Sequence, residues 1–182
     1  MRSVKLFTRA GGLALGIEGA GFHHDVVVER DRHCCDTIRE NQTRGFPALS
    51  DWRAFSGDAR HFDYGSVRGQ IDLLAGGPPC QPFSIGGKHK ANSDSRDMFP
   101  EMVWTVRKLK PRAILVENVK GLTRKTFANC FSYIVLQLSH PEIARNPGED
   151  WTGHRARLER HDTKGKERKM ARTRIQRRVA AC

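Results

Sequence analysis

Short apolar runs at residues 4–7, 25–29, 71–75 and 113–116 alternate with longer segments of helical spacing, and this alternation constrains the fold most. Runs of four or five such residues have the length of a strand buried on both faces. Val26-Val27-Val28 is the clearest case, since three consecutive β-branched residues favour extended backbone. Between the runs, residues 13–20, 34–42, 98–109 and 127–138 read as helices. Met98, Met102 and Val106 recur at near-helical spacing in the third of these. Strands alternating with helices imply βα units, and therefore an α/β fold with a mostly parallel sheet. A chain of 182 residues has room for one sizeable core.

In such sheets ligands bind beyond the carboxyl ends of the strands. Four features fall there: the Gly11-Gly12 turn, Glu29, the loop carrying Cys80, and Glu117. Their convergence on one rim predicts a single cleft. The first two suit a nucleoside. Glycines after a first strand let backbone approach a ligand closely, and an acid ending the second strand can accept hydrogen bonds from ribose hydroxyls. Asp58, in Ser56-Gly57-Asp58, reads either as a turn residue or as an acceptor for an adenine amino group.

Cys80 sits in Gly76-Gly77-Pro78-Pro79-Cys80-Gln81-Pro82, just past an apolar strand. A rigid strand end followed by a loop without bulky side chains presents a nucleophile at the rim, whereas a structural cysteine packs inside an apolar run. Glu117-Asn118-Val119 places a potential proton donor at the end of another strand. Arg96, in Asp94-Ser95-Arg96, can hold a phosphate or a base oxygen.

Charge and cysteine usage bound the partners. The net charge is +12, and +8 of it lies from Trp151 onward. Such a balance favours polyanions through counterion release, although a terminal charge run is also the usual form of a solvated tail. Five cysteines without a C-x-x-C pair suggest neither a disulfide framework nor a zinc knuckle, and suit a reducing cytosol. Residues 11–22 are interrupted by Glu18 and are too short to span a bilayer, so no membrane segment is expected. Apolar periodicity fades after Pro141. The expected division is a partial cofactor-binding and catalytic domain at 1–140, a connecting segment at 141–160, and a basic, disordered tail at 161–182.

Taken in order, these blocks resemble those of the C5-cytosine-specific DNA methyltransferases, across roughly residues 4–161. The resemblance implies a Rossmann-like, S-adenosylmethionine-dependent fold, incomplete at its C-terminus. It implies Cys80 as the nucleophile, Glu117 as the acid and Arg96 as a cytosine-pocket residue. Phe7, Gly11, Gly12, Glu29, Asp58 and Pro79 match positions around the cofactor. The implied reaction moves a methyl group from S-adenosylmethionine to C5 of a cytosine flipped out of double-stranded DNA, through a covalent Cys80 adduct, as in bacterial restriction-modification systems. The implied setting is the bacterial cytoplasm, at the nucleoid. An RNA cytosine-5 methyltransferase and a non-catalytic nucleic-acid-binding remnant are the alternatives.

The chain departs from the family pattern in three places. Lys5 stands where the family has an acid, and Arg9 where it has the first glycine of the loop. Both are expected to weaken cofactor binding. The family's Gln-x-Arg-x-Arg strand, its target-recognition region and its final block have no counterpart here, so a second chain supplying them is a further possible partner.

Overall fold

The computed structural model describes residues 1–79 and 97–169, without the side chains of 164–169. Five strands form one sheet: β1 (Arg2–Leu6), β2 (His23–Glu29), β3 (Ala54–Ser56), β4 (Leu73–Gly76) and β5 (Ala113–Val116). Their order is β3-β2-β1-β4-β5, and every pairing is parallel. The helices are α1 (Gly12–Gly19), α2 (Arg32–Thr43), α3 (Phe99–Leu109), α4 (Ala128–Ser139) and α5 (Trp151–Lys169).

Strand alternation sorts the core into two layers. Val4, Leu6, Val26, Val28 and Leu74 pack with Met102, Val103 and Val106 of α3 and Cys130 and Ile134 of α4. Val27, one residue out of phase, packs with Ala14 of α1, Ile38 of α2 and Trp52. Leu73 and Ala75 join Ile17 of α1 on that same face. Helices therefore cover both sides, as the apolar runs required. Met98, Met102 and Val106 are all buried, which confirms the helical face read from their spacing.

The chain winds outward from β1 through β2 to β3, then returns to the far side of β1 for β4 and β5. The reversal creates a switch point between β1 and β4, where an open α/β sheet has its crevice. Local signals set the helix starts. Asp31 caps α2 by accepting from the Cys34 amide at 3.0 Å. Pro100 lies in the first turn of α3, where its missing N–H has no consequence.

Two elements differ from the sequence reading. β3 is only three residues long and gives almost no periodic signal; pairing with β2 creates it. α5 crosses the expected boundary at 160 and continues to Lys169, so 161–169 is helical rather than a disordered tail. Asp150 starts this helix by accepting from the Gly153 amide at 2.7 Å, and Arg155 pairs with Glu159 one turn on. Arg, Lys and Glu are good helix formers, so a charge run can be helical once its first turn is anchored. Residues 170–182 lie outside the described ones. No helix among the described residues is long and apolar enough to cross a membrane.

Candidate active site

The loop after β1 is held in an unusual backbone conformation. Phe7 and Arg9 have φ of +53° and +56°, and Gly11 has +100°. A side chain at such an angle opposes its own backbone by about 1–2 kcal/mol. Phe7 therefore leaves the strand that the sequence extends through it. The loop is fastened in compensation. The Thr8 amide donates to Val28 O at 3.1 Å, and its hydroxyl donates to the same oxygen at 3.0 Å. Gly11 packs against Trp52, whose ring would lie 3.2 Å from a Cβ at that position.

Glu29 is the clamp between the first two strand ends. One carboxylate oxygen accepts from the Arg9 amide at 2.6 Å. The other accepts from the Arg30 and Asp31 amides at 2.9 and 2.8 Å. Three N–H donors hold the carboxylate in place at the cleft wall, although it is only 6% exposed. The oxygen bonded only to the Arg9 amide retains one acceptor site for a ligand hydroxyl, whereas the other already accepts two bonds.

Asp58 follows β3 and caps a short 3₁₀ turn by accepting from the Arg60 amide at 3.0 Å. The Arg60 guanidinium beside it, with Arg30 farther off, holds its carboxyl down at about 2. The turn reading is therefore realised. The residue still borders the cleft, so an adenine amino group would share it with Arg60.

On the other side of the switch point, Glu117 leaves β5 with its amide bonded to Gly76 O at 3.0 Å. Its carboxylate lies over Gly77, where a Cβ would stand 3.0 Å from Oε2. Asn118 Nδ2 donates to Pro78 O at 2.9 Å, tying the two strand-end loops together. Gly77 and Pro78 are thus both held against the loop that follows β5. Cys80 itself and Arg96 lie outside the described residues.

The loops after β1, β2, β3 and β4 enclose a cleft of about 510 Å³; Glu117 is not in its lining but stands behind Gly77, which is. Phe7, Glu29, Asp58 and Pro79 line it. Gly11 and Gly12 do not: they form the joint between the loop and α1 behind the wall. Arg9, the exposed residue at the glycine position, lines it as well. Arg30, Asp31, Arg32 and Met98 are wall residues that the sequence reading did not single out. The first three directly follow β2, so the strand-end rule alone could have found them.

Lys5 is the anomaly of the site. It occupies β1 in register with Val27 and Ala75, on the α1 face, and is 1% exposed. Its amine donates to Leu6 O at 2.7 Å and Phe7 O at 3.3 Å. Burial pushes its pKa down to about 8, against the pull of the Glu29 and Glu117 carboxylates.

The family's sequence profile, described as C-5 cytosine-specific DNA methylase, matches residues 1–141. The chain belongs to this family. Among its curated relatives, the type II methyltransferase M.NgoMIV of Neisseria gonorrhoeae is 41% identical over 137 residues. That match covers 75% of this chain and 41% of the relative. M.AquIA of a Picosynechococcus strain is 34% identical over 146 residues, covering 76% and 56% respectively. The chain thus spans about half or less of the length of these relatives. An E. coli structure provisionally identified as a prophage-encoded DNA modification methyltransferase superposes with a TM-score of 0.57 at 27% identity, over 76% of this chain and 38% of that one. A mutant of DNMT2 from Spodoptera frugiperda shares the fold with a TM-score of 0.53 at 21% identity, over 75% and 41%. The α/β architecture is therefore the Rossmann-like one of the S-adenosylmethionine-dependent methyltransferases.

Proposed function

We propose that this chain is the cofactor-binding and catalytic part of a DNA cytosine-5 methyltransferase of the restriction-modification type, using S-adenosylmethionine and acting in the bacterial cytoplasm. The observation that carries the reading is the Glu117 carboxyl lying over Gly77, which itself lines a cleft bordered by Phe7, Glu29, Asp58 and Pro79.

The cleft is large enough for a nucleoside, and its donor and acceptor set suits one. Glu29 would hold the ribose hydroxyls, Asp58 the adenine amino group, and Phe7 and Pro79 the faces of the base. Gly11 and Gly12 would set the loop that lets backbone approach. Bound there, S-adenosylmethionine supplies an electrophilic methyl group for C5 of cytosine. C5 is a poor nucleophile until the ring is activated. The Cys80 thiolate would add to C6 while Glu117 gives a proton to N3, which makes C5 the nucleophilic end of an enamine. After C5 is alkylated, loss of its proton and expulsion of the thiolate restore the aromatic ring. Arg96 would hold the base in place. The target must leave the helix stack, at about a few kcal/mol, and phosphate contacts supply that energy.

The deciding experiment is a duplex containing 5-fluorocytosine, incubated with the chain and S-adenosylmethionine. Fluorine at C5 blocks the final proton loss, so a productive attack is trapped. Intact mass should show an adduct with the wild type and none with Cys80→Ala. No adduct at high protein and cofactor refutes the activity.

The buried Lys5 amine and Arg9 at the cleft wall favour a second reading, a non-catalytic nucleic-acid-binding remnant. It predicts salt-dependent DNA binding that survives Cys80→Ala and disappears when residues 155–182 are removed.

A further inference from the structure

The joint between α4 and α5 gathers a second set of chemically capable side chains, well removed in sequence from the cleft residues. His140 caps the C-terminal end of α4, Glu142 follows two residues later, and His161 comes from α5. One ligand atom from each lies within 4.8 Å of the others. The His140 and His161 rings meet edge to face, 4.9 Å between centroids. From this geometry we infer that His140, Glu142 and His161 form a zinc site that clamps α5 to the end of α4.

Three features support the assignment. Two imidazole nitrogens and one carboxylate oxygen make a borderline donor set that suits Zn²⁺. Tetrahedral bonds of about 2.0–2.1 Å place donors about 3.3 Å apart, so the cluster must tighten by up to about 1.5 Å. Glu142 and His161 are exposed and can rotate to do so.

The second feature is the orientation of His140. Its Nε2 lies 3.0 Å from Asp162 Oδ1, and its Nδ1 lies 3.7 Å from Glu142 Oε1. Nε2–H donating to Asp162 leaves the Nδ1 lone pair facing Glu142. That is the carboxylate–histidine arrangement that fixes the tautomer and raises the basicity of a metal-ligating imidazole. Asp162 is then a positioning residue rather than a ligand, and the fourth coordination place falls to water.

The third is what α5 lacks. Within residues 151–163 it buries only His154 and Leu158 fully; apart from Trp151, whose ring lies 6.0 Å from that of Tyr133, and the small Gly153 and Ala156, the rest is charged or polar. His154 is bonded to the Tyr133 hydroxyl at 2.7 Å and to Ile143 O at 2.9 Å. His154, Leu158, His161 and Asp162 share one helix face, and the cluster lies one turn beyond the last apolar contact. A metal bond there would supply the anchorage that apolar burial does not.

Titration of the full chain with Zn²⁺ tests the site, with Co²⁺ as a spectroscopic substitute. The expected result is one tight equivalent, a Co²⁺ spectrum without thiolate charge-transfer bands, and slower amide hydrogen exchange along residues 155–163. His161→Gln and Glu142→Gln should each weaken binding and restore fast exchange. Both side chains are exposed, so the fold should tolerate the changes. Asp162→Asn should weaken binding about 10- to 100-fold, as loss of an outer-shell partner does. Thiolate bands, absence of a tight equivalent, or unchanged affinity in His161→Gln and Glu142→Gln would overturn the assignment.

Discussion

Replacing Lys5 with methionine should stabilise this protein, by an amount that depends on pH. Lys5 is fully buried between strand neighbours Val27 and Ala75, and burial lowers its pKa from 10.5 to about 8. At about 1.4 kcal/mol per pH unit, that depression amounts to about 3 kcal/mol held against folding at neutral pH. Below pH 8 both the folded and unfolded chains carry the proton, and the penalty is complete. Between about 8 and 10.5 the folded chain has released the proton while the unfolded chain still binds it, so stability rises with pH. Above 10.5 the penalty is gone. Methionine has similar length and no charge, but it forfeits the bonds to Leu6 O and Phe7 O, worth about 1 kcal/mol together. Lys5→Met should therefore be about 2 kcal/mol more stable at pH 7, and should lose that advantage by pH 10.5. Urea unfolding of both chains at half-unit pH steps measures the gap. Other groups titrate in this range: burial pushes the Cys130 thiol to about 11, which makes stability fall with rising pH. Because Cys130 is present in both chains, the difference between them isolates Lys5. A gap that stays constant from pH 7 to 10.5, or a methionine variant less stable at pH 7, would refute the reasoning.

Arg9→Gly should raise stability by about 1 kcal/mol in thermal unfolding, because φ of +56° is strained for arginine and free for glycine. The same change removes a side chain at the cleft wall, so calorimetry should find tighter S-adenosylhomocysteine binding. Glu29→Gln should lower stability by about 1–3 kcal/mol in urea. Its amide nitrogen would face backbone N–H groups that now find carboxylate oxygens.

The alternation of apolar runs was sufficient to specify the parallel α/β sheet, because strands this short and this apolar must be covered on both faces. The strand-end rule pointed to the Gly11-Gly12 turn, Glu29, the Cys80 loop and Glu117, and the family resemblance added Phe7, Asp58 and Pro79; of these, Phe7, Glu29, Asp58 and Pro79 line the cleft. Arg9 was legible only through the family resemblance, which puts a glycine there; its φ of +56° is the angle that a glycine would meet without strain. What the sequence determined by itself was local periodicity, and the set of chemical groups that follow each strand.

The tertiary structure decided what depends on contact between distant segments. β3 exists because β2 offers it a ladder, and its three residues carry too little pattern to announce themselves. α5 has no apolar stripe to signal a helix; Asp150 at its start and the Tyr133–His154 bond give it a place. Lys5 reads in the sequence only as a reversed charge. Its depressed pKa follows from the strands on either side, which remove water from the amine. The His140–Glu142–His161 cluster likewise forms only when α5 folds back on α4, since twenty-one positions separate its two histidines along the chain. Periodicity is a property of neighbours in sequence, whereas desolvation and ligand geometry belong to neighbours in space.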